Sequence, residues 1–136
     1  FFSPRGASPT FYGLPAAIGA KLGQPSRPCL CVTGDGSFLP VVAELAAVAA
    51  AGLPVVTLVY NNCSFGVLED SMRRRHGTED SMNLENPDFV KLANSFGVRA
   101  KRAETPEGLK KIFRDEVTWD MPFVVEFRFP PLSPPW

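Results

Sequence analysis

Cysteine and histidine are scarce. The 136 residues hold three cysteines, Cys29, Cys31 and Cys63, and one histidine, His76. Cys29 and Cys31 stand two apart in an apolar run, on one side of an extended segment and too close for an easy bridge. No second pair or neighbouring histidine completes a zinc site. An odd cysteine count without metal spacing fits reduced thiols, and hence the expectation of a cytoplasmic protein. Excess charge is also lacking. Fourteen basic residues balance fourteen acidic ones, which argues against nucleic-acid or anionic-membrane partners. No basic leader with an apolar core is read at the start. The most apolar window, residues 38–60, is interrupted by Glu44, Gly52 and Pro54. It reads as a helix followed by a strand and not as a membrane span. There is no internal repeat, and the one biased segment is the proline-rich end.

Apolar residues make up 45% of the chain and charged residues 21%, the balance of a globular domain, and the length suits one core. We read residues 1–129 as that domain and 130–136, "PPLSPPW", as a tail or docking strap. "GLPAAIGAKLG" predicts a helix ended by Gly23. "CLCVT", residues 29–33, is short and continuously apolar, as for a strand buried on both faces. "FLPVVAELAAVAAAG" predicts one helix with Gly52 at its end. "PVVTLVY", residues 54–60, is a second buried strand. Residues 65–75 read as a helix turning basic, 77–86 as a loop, and 86–97 as a helix with Pro87 near its start. "VRAKRA" suits a short strand, Thr105 to about Val117 a helix, and residues 122–129 another strand. Apolar strands alternating with helices predict an α/β fold, a doubly wound, mostly parallel sheet with helices on both faces. Ligands of such sheets bind beyond the carboxyl ends of the strands.

Two turns fall at such ends. "GDGS" places Asp35 between Gly34 and Gly36, and "NNCSFG" follows the second strand. Asp35 and Asn62 then face each other across neighbouring strand ends, each with a side-chain oxygen. Hard divalent cations take oxygen ligands and keep phosphate and water in their shell. One carboxylate plus one amide suits a cation that arrives with a diphosphate. The glycines let the backbone turn and approach a ligand. Ser37 is expected at the N-cap of the next helix, where free N–H groups favour anions. Ser64, Phe65 and Gly66 repeat the arrangement. Either turn alone is adequately read as a tight turn; the pair at adjacent strand ends is more specific. "GDGSFL" lacks the third glycine of the dinucleotide fingerprint, and no P-loop Gly-Lys-Ser/Thr follows.

"GDGSF", the 24 residues from Ser37 to Tyr60, then "NN" resemble the thiamine-diphosphate motif. "GLPAAIGAKLG" and "NPDFVKLANSFGV" are similar to acetolactate synthase and its relatives, including benzoylformate decarboxylase. The resemblance covers residues 6–128 and implies the thiamine-diphosphate-binding fold. It implies that Asp35, the Asn62 side chain and the Ser64 main-chain carbonyl ligate Mg²⁺ (or Ca²⁺). Asn61 would brace the turn, and Gly34, Gly36, Ser37, Phe65 and Gly66 would border the diphosphate. Ser8 and Thr10 would meet the aminopyrimidine through their main-chain groups. Thr10 also aligns with the residue that holds the cofactor bent. The family usually has Met, Leu or Ile there and often glycine at Pro9 or Phe11, departures that fit a variant substrate pocket.

The activity implied is decarboxylation of a 2-oxo acid with carboligation, the cofactor serving as electron sink. A benzoylformate-type decarboxylase and a non-catalytic module of the same fold are the alternatives. No catalytic residue is expected in this chain. The activating glutamate belongs to a pyrimidine-binding domain on another chain or an absent segment, in a homodimer or tetramer. The first strand of the binding domain is expected to be missing ahead of Phe1. Other residues have plainer readings. His76 and Arg73 to Arg75 suit a solvated helix end, and Glu44 a mid-helix structural or dimer contact. Phe127, Phe129 and Trp136 suit the core or a docking contact.

Overall fold

The computed structural model describes residues 1, 3, 10–77 and 83–130. Ser8, Pro9, Trp136 and most of the proline-rich tail lie outside the described residues. In chain order the elements are α1 (Gly13–Gly23), β1 (Cys29–Gly34), α2 (Asp35–Phe38), a 3₁₀ turn (Leu39–Val41), α3 (Glu44–Ala50), β2 (Val55–Asn61), α4 (Gly66–His76), α5 (Phe89–Ser95), β3 (Arg99–Ala103), α6 (Pro106–Asp115) and β4 (Phe123–Arg128). The four strands form one parallel sheet in the order β1-β2-β4-β3. All strands therefore end at the same edge, and Gly34 of β1 lies opposite Tyr60 of β2.

Alternation along the strands divides the core. On one face Cys31, Val55, Val59, Ala100 and Val124 pack against Leu14, Phe38, Leu45, Val48, Phe89 and Ala93 from α1, α2, α3 and α5. On the other, Val56, Leu58, Phe123 and Val125 pack against Leu109, Ile112 and Phe113 of α6. Helices thus cover both faces, as the sequence pattern predicts. Phe38 and Phe89 meet edge to face at 5.4 Å, a favoured aromatic geometry. That contact joins the segment after the Gly-Asp-Gly turn to the first turn of α5. No helix among the described residues is long and apolar enough to cross a membrane.

Three local expectations are corrected. The helix expected over residues 38–52 is broken into α2, the 3₁₀ turn and α3. Pro40 has no N–H for the helical ladder, so α2 lasts one turn. Glu44 consequently opens α3 and is exposed, not mid-helix. The helix expected from residue 86 starts at Phe89, because Asp88 is its N-cap, accepting from the N–H groups of Val90 and Lys91. β1 is not buried on both faces: Leu30 is 46% exposed and Val32 56%. Among the described residues β1 pairs with β2 alone, and α6 reaches only the other half of that face. Stops are where glycine places them, at Gly52 (φ 55°), Gly77 (φ 67°) and Gly97 (φ 81°), all left-handed.

Cys31 is buried against α1, and burial, with a smaller push from Cys29, raises its thiol pKa to about 12. Cys63 is exposed. An alkylating reagent at neutral pH is expected to modify Cys63 first and to reach Cys31 only on unfolding. Peptide mass spectrometry over a labelling time course checks this; early labelling of Cys31 would contradict it.

Candidate functional site

Asp35 is the first residue of α2 and only 2% exposed. Its Oδ1 accepts the N–H of Gly36 at 2.9 Å, and its Oδ2 accepts Asn86 Nδ2 at 2.6 Å. A carboxylate at a helix N-terminus faces the positive end of the dipole. Ser37 is therefore not the N-cap; Gly34 holds that place in extended backbone, and Ser37 lies inside α2. Neither Gly34 nor Gly36 has the left-handed backbone that a sharp turn needs. Gly36 is required for space instead. A Cβ there would stand 2.3 Å from the Phe65 ring. Gly66 is similar: a Cβ would meet Asn62 Nδ2 at 2.9 Å. These close approaches lay the 62–66 loop against the start of α2.

Asn61 ends β2 and is buried. Its Oδ1 accepts the Cys63 N–H at 3.1 Å and Asn86 Nδ2 at 3.0 Å. The first bond braces the turn, in which Cys63 is left-handed (φ 55°). That conformation costs a non-glycine residue roughly 1–2 kcal/mol. Ser64 is buried and bridges Asn83 in antiparallel fashion. Its hydroxyl donates to Glu69 Oε2 at 2.6 Å, so it does not cap α4, whose N-cap is Phe65 without a side-chain bond. Thr10 is exposed in the turn before α1. It lines, with Tyr12, Thr33, Gly34 and Ser37, an open cleft of about 1180 Å³ along α1 and β1. Ser8 lies outside the described residues.

Apart from Asn61, the polar residues that surround it escaped sequence reasoning. Asn61, Glu126, Arg102 and Arg128 occupy the same-face positions of β2, β4 and β3 as the α5-side core residues, at the carboxyl end of the sheet. Glu126 is 0% exposed. It accepts from Asn61 Nδ2 (2.7 Å), Arg102 Nε (2.7 Å) and Arg128 Nε (2.9 Å). Arg102 also donates to Asp88 Oδ1 at 2.8 Å. Burial works to lower the Arg102 pKa, but bonds and charge from Glu126 and Asp88 carry it above its ordinary value. Asp88 is held below the usual carboxylate value, first by the Lys91 N–H, with Arg102 adding to it. A carboxyl so lowered contributes stability above its unfolded-state pKa, and that contribution fades as pH falls through the lowered value. The readable signals were a lone charge in the apolar strand "FVVEFR" and a capping aspartate in "NPDF".

The donor set fits a cation that brings a diphosphate. Among the described residues no group of three or more His, Cys, Asp or Glu side chains is arranged to hold a metal. One buried carboxylate, the neighbouring asparagine loop and two glycines whose Cβ positions are already crowded make a partial shell. Asn86 Oδ1 adds a buried acceptor without a protein partner.

Over residues 1–127 the chain matches the family described as thiamine pyrophosphate enzyme, C-terminal TPP binding domain. The chain belongs to this family. Thiamine pyrophosphate is thiamine diphosphate, so the sheet described above is that of a thiamine-diphosphate-binding domain. The domain is 33% identical to the probable acetolactate synthase large subunit of Methanococcus aeolicus, over 98% of this chain and 22% of that protein. It is 38% identical to the probable 2-ketoarginine decarboxylase of Pseudomonas aeruginosa, over 82% of this chain and 20% of the relative. Its fold is similar to that of the thiamine diphosphate-dependent 4-hydroxybenzoylformate decarboxylase of Rhodococcus jostii. The TM-score is 0.80 at 32% identity, covering 88% of this chain and 23% of that one. The domain thus spans roughly a fifth of the length of these relatives.

Proposed function

We propose that the domain holds thiamine diphosphate and Mg²⁺ (or Ca²⁺) in an acetolactate-synthase-like enzyme that decarboxylates and joins 2-oxo acids. The carrying observation is the buried Asp35 carboxylate at the end of β1, tied through Asn86 to Asn61 at the end of β2. Asp35, the Asn62 side chain and the Ser64 main-chain carbonyl would hold the cation. Gly34, Gly36, Ser37, Phe65 and Gly66 would border the diphosphate, and Ser8 and Thr10 the aminopyrimidine. When bound, the cofactor supplies the electron sink for losing CO₂ from a 2-oxo acid. The residues of this domain orient it: Gly36 and Phe65 set how closely the backbone approaches, and Asn61 keeps the Cys63 turn in place. A pyrimidine-binding domain, on another segment or another subunit of a dimer or tetramer, would bring the activating glutamate.

The fold likeness to a 4-hydroxybenzoylformate decarboxylase supports a second reading, decarboxylation without carboligation. Titration of thiamine diphosphate with and without Mg²⁺, followed by intrinsic fluorescence, tests the binding function. We expect saturable binding that requires the metal, weak in this chain alone, with no pyruvate turnover. Metal-independent binding would remove the site assignment, and steady turnover by the pure chain would remove the need for a second domain. Product analysis on the full-length protein separates carboligase from decarboxylase.

A further inference from the structure

Glu126 is distant in sequence from both turns, yet its charge dictates how the side chains at the site are oriented. A carboxylate can only accept hydrogen bonds. Glu126 Oε1 therefore obliges Asn61 to present its NH₂ at 2.7 Å, which points Asn61 Oδ1 the other way. That oxygen accepts the Cys63 N–H, a donor whose identity is fixed by the backbone. Asn86 then faces two acceptors, Asn61 Oδ1 at 3.0 Å and Asp35 Oδ2 at 2.6 Å. Only its NH₂ satisfies both, and its Oδ1 is left buried without a protein partner. Neither amide can be turned over without setting acceptor against acceptor.

The same residues close a ring. Glu126 binds Arg102, Arg102 binds Asp88, and Asp88 caps α5 two residues after Asn86. Asn86 returns through Asn61 to Glu126. Asn86 is thereby held from both sides, by the helix cap and by the strand end. Asp35 is the one member outside the ring, suspended from Asn86 Nδ2. Such outer partners fix the orientation of a metal-binding carboxylate.

We infer that Asn86 and Glu126 are positioning residues that preset the Asp35 carboxylate for the divalent cation. Glu126 acts as the anionic anchor and Asn86 as the arm. The inference rests on the proposed metal–diphosphate reading of Asp35. Its test uses the full-length protein that carries this domain, with Mg²⁺ titrated at fixed thiamine diphosphate and thiamine diphosphate titrated at saturating Mg²⁺. Asn86→Ala is expected to weaken Mg²⁺ binding by roughly tenfold or more, while cofactor affinity at saturating Mg²⁺ stays near that of the parent. Asn86→Gln, which keeps the amide donor on a longer arm, should recover part of the loss. Glu126→Gln should weaken Mg²⁺ binding in the same direction. The double variant Asn86→Ala/Glu126→Gln should be no weaker than Asn86→Ala, because both act on one carboxylate. Parent-like Mg²⁺ affinity in both Asn86 variants, equal losses in metal and cofactor affinity, or multiplying losses in the double variant would each overturn the relay. If Asn86→Ala does not fold, the Asn86→Gln and Glu126→Gln variants decide. A parent protein whose cofactor binding ignores Mg²⁺ defeats the metal reading itself and the relay with it.

Discussion

Asp35→Ala is expected to abolish Mg²⁺-promoted binding of thiamine diphosphate while leaving a folded protein. The carboxylate is the one formal negative charge proposed for the cation, and amide and carbonyl oxygens do not replace it. Each of its oxygens accepts one hydrogen bond, Oδ1 from the Gly36 N–H and Oδ2 from Asn86, and each has a further lone pair to offer. Removing it strands little. Asn86 Nδ2 keeps Asn61 Oδ1 as an acceptor, and Gly36 is in the first turn of a helix, where N–H groups commonly lack intrahelical partners. Fluorescence titration reads the binding, and circular dichroism with thermal melting reads the fold. Asp35→Asn sharpens the result. It retains an oxygen at the site but loses the charge, and should bind the metal nearly as poorly as alanine. Unchanged metal dependence in either variant would remove Asp35 from the ligand set.

Glu126→Ala should act on the fold itself. Its carboxylate is fully buried and answers Asn61, Arg102 and Arg128 at once. Removing one side of a buried ion pair typically costs about 3–5 kcal/mol. The arginine side chains are 27% and 40% exposed and can regain water, which places the expected loss near the lower end, about 3 kcal/mol. In a domain of this size that lowers the midpoint of thermal unfolding by roughly 10 °C. The buried Asn61 NH₂ has no such escape, and the brace on Cys63 should loosen with it. Denaturant unfolding measures the loss. A change below about 1 kcal/mol would show that the polar cluster contributes orientation and little stability.

Three strands were legible because β1, β2 and β4 are mostly apolar, and β2 and β4 had no competing reading; β3, "RAKRA", carries no such run. Glycine just after α3 and α5 was equally informative, since left-handed backbone at Gly52 and Gly97 has a steric cause visible in one letter. The Asp35 turn was placed at the correct strand end, but its detail was not. Asp35 starts the helix and Gly34 stands at its N-cap, so Ser37 lies inside it and does not cap it. Asn86 and Glu126 were missed for a different reason. Their importance depends on strand order: β4 inserts between β2 and β3, which puts residue 126 beside residues 61 and 102. Pattern along the chain carries no such adjacency. The open face of β1 was missed on the same ground, since an apolar run does not reveal which of its sides is covered.

Position 63 can change over time only along a narrow alphabet. Left-handed backbone there admits glycine, asparagine or aspartate readily, other residues at some cost, and β-branched residues hardly at all. The Cys63 side chain is exposed, so core packing does not add to that filter. A solvent-facing site would ordinarily drift freely. Here the direction of the backbone, set by Asn61 from inside the domain, governs which letters are admitted at its surface.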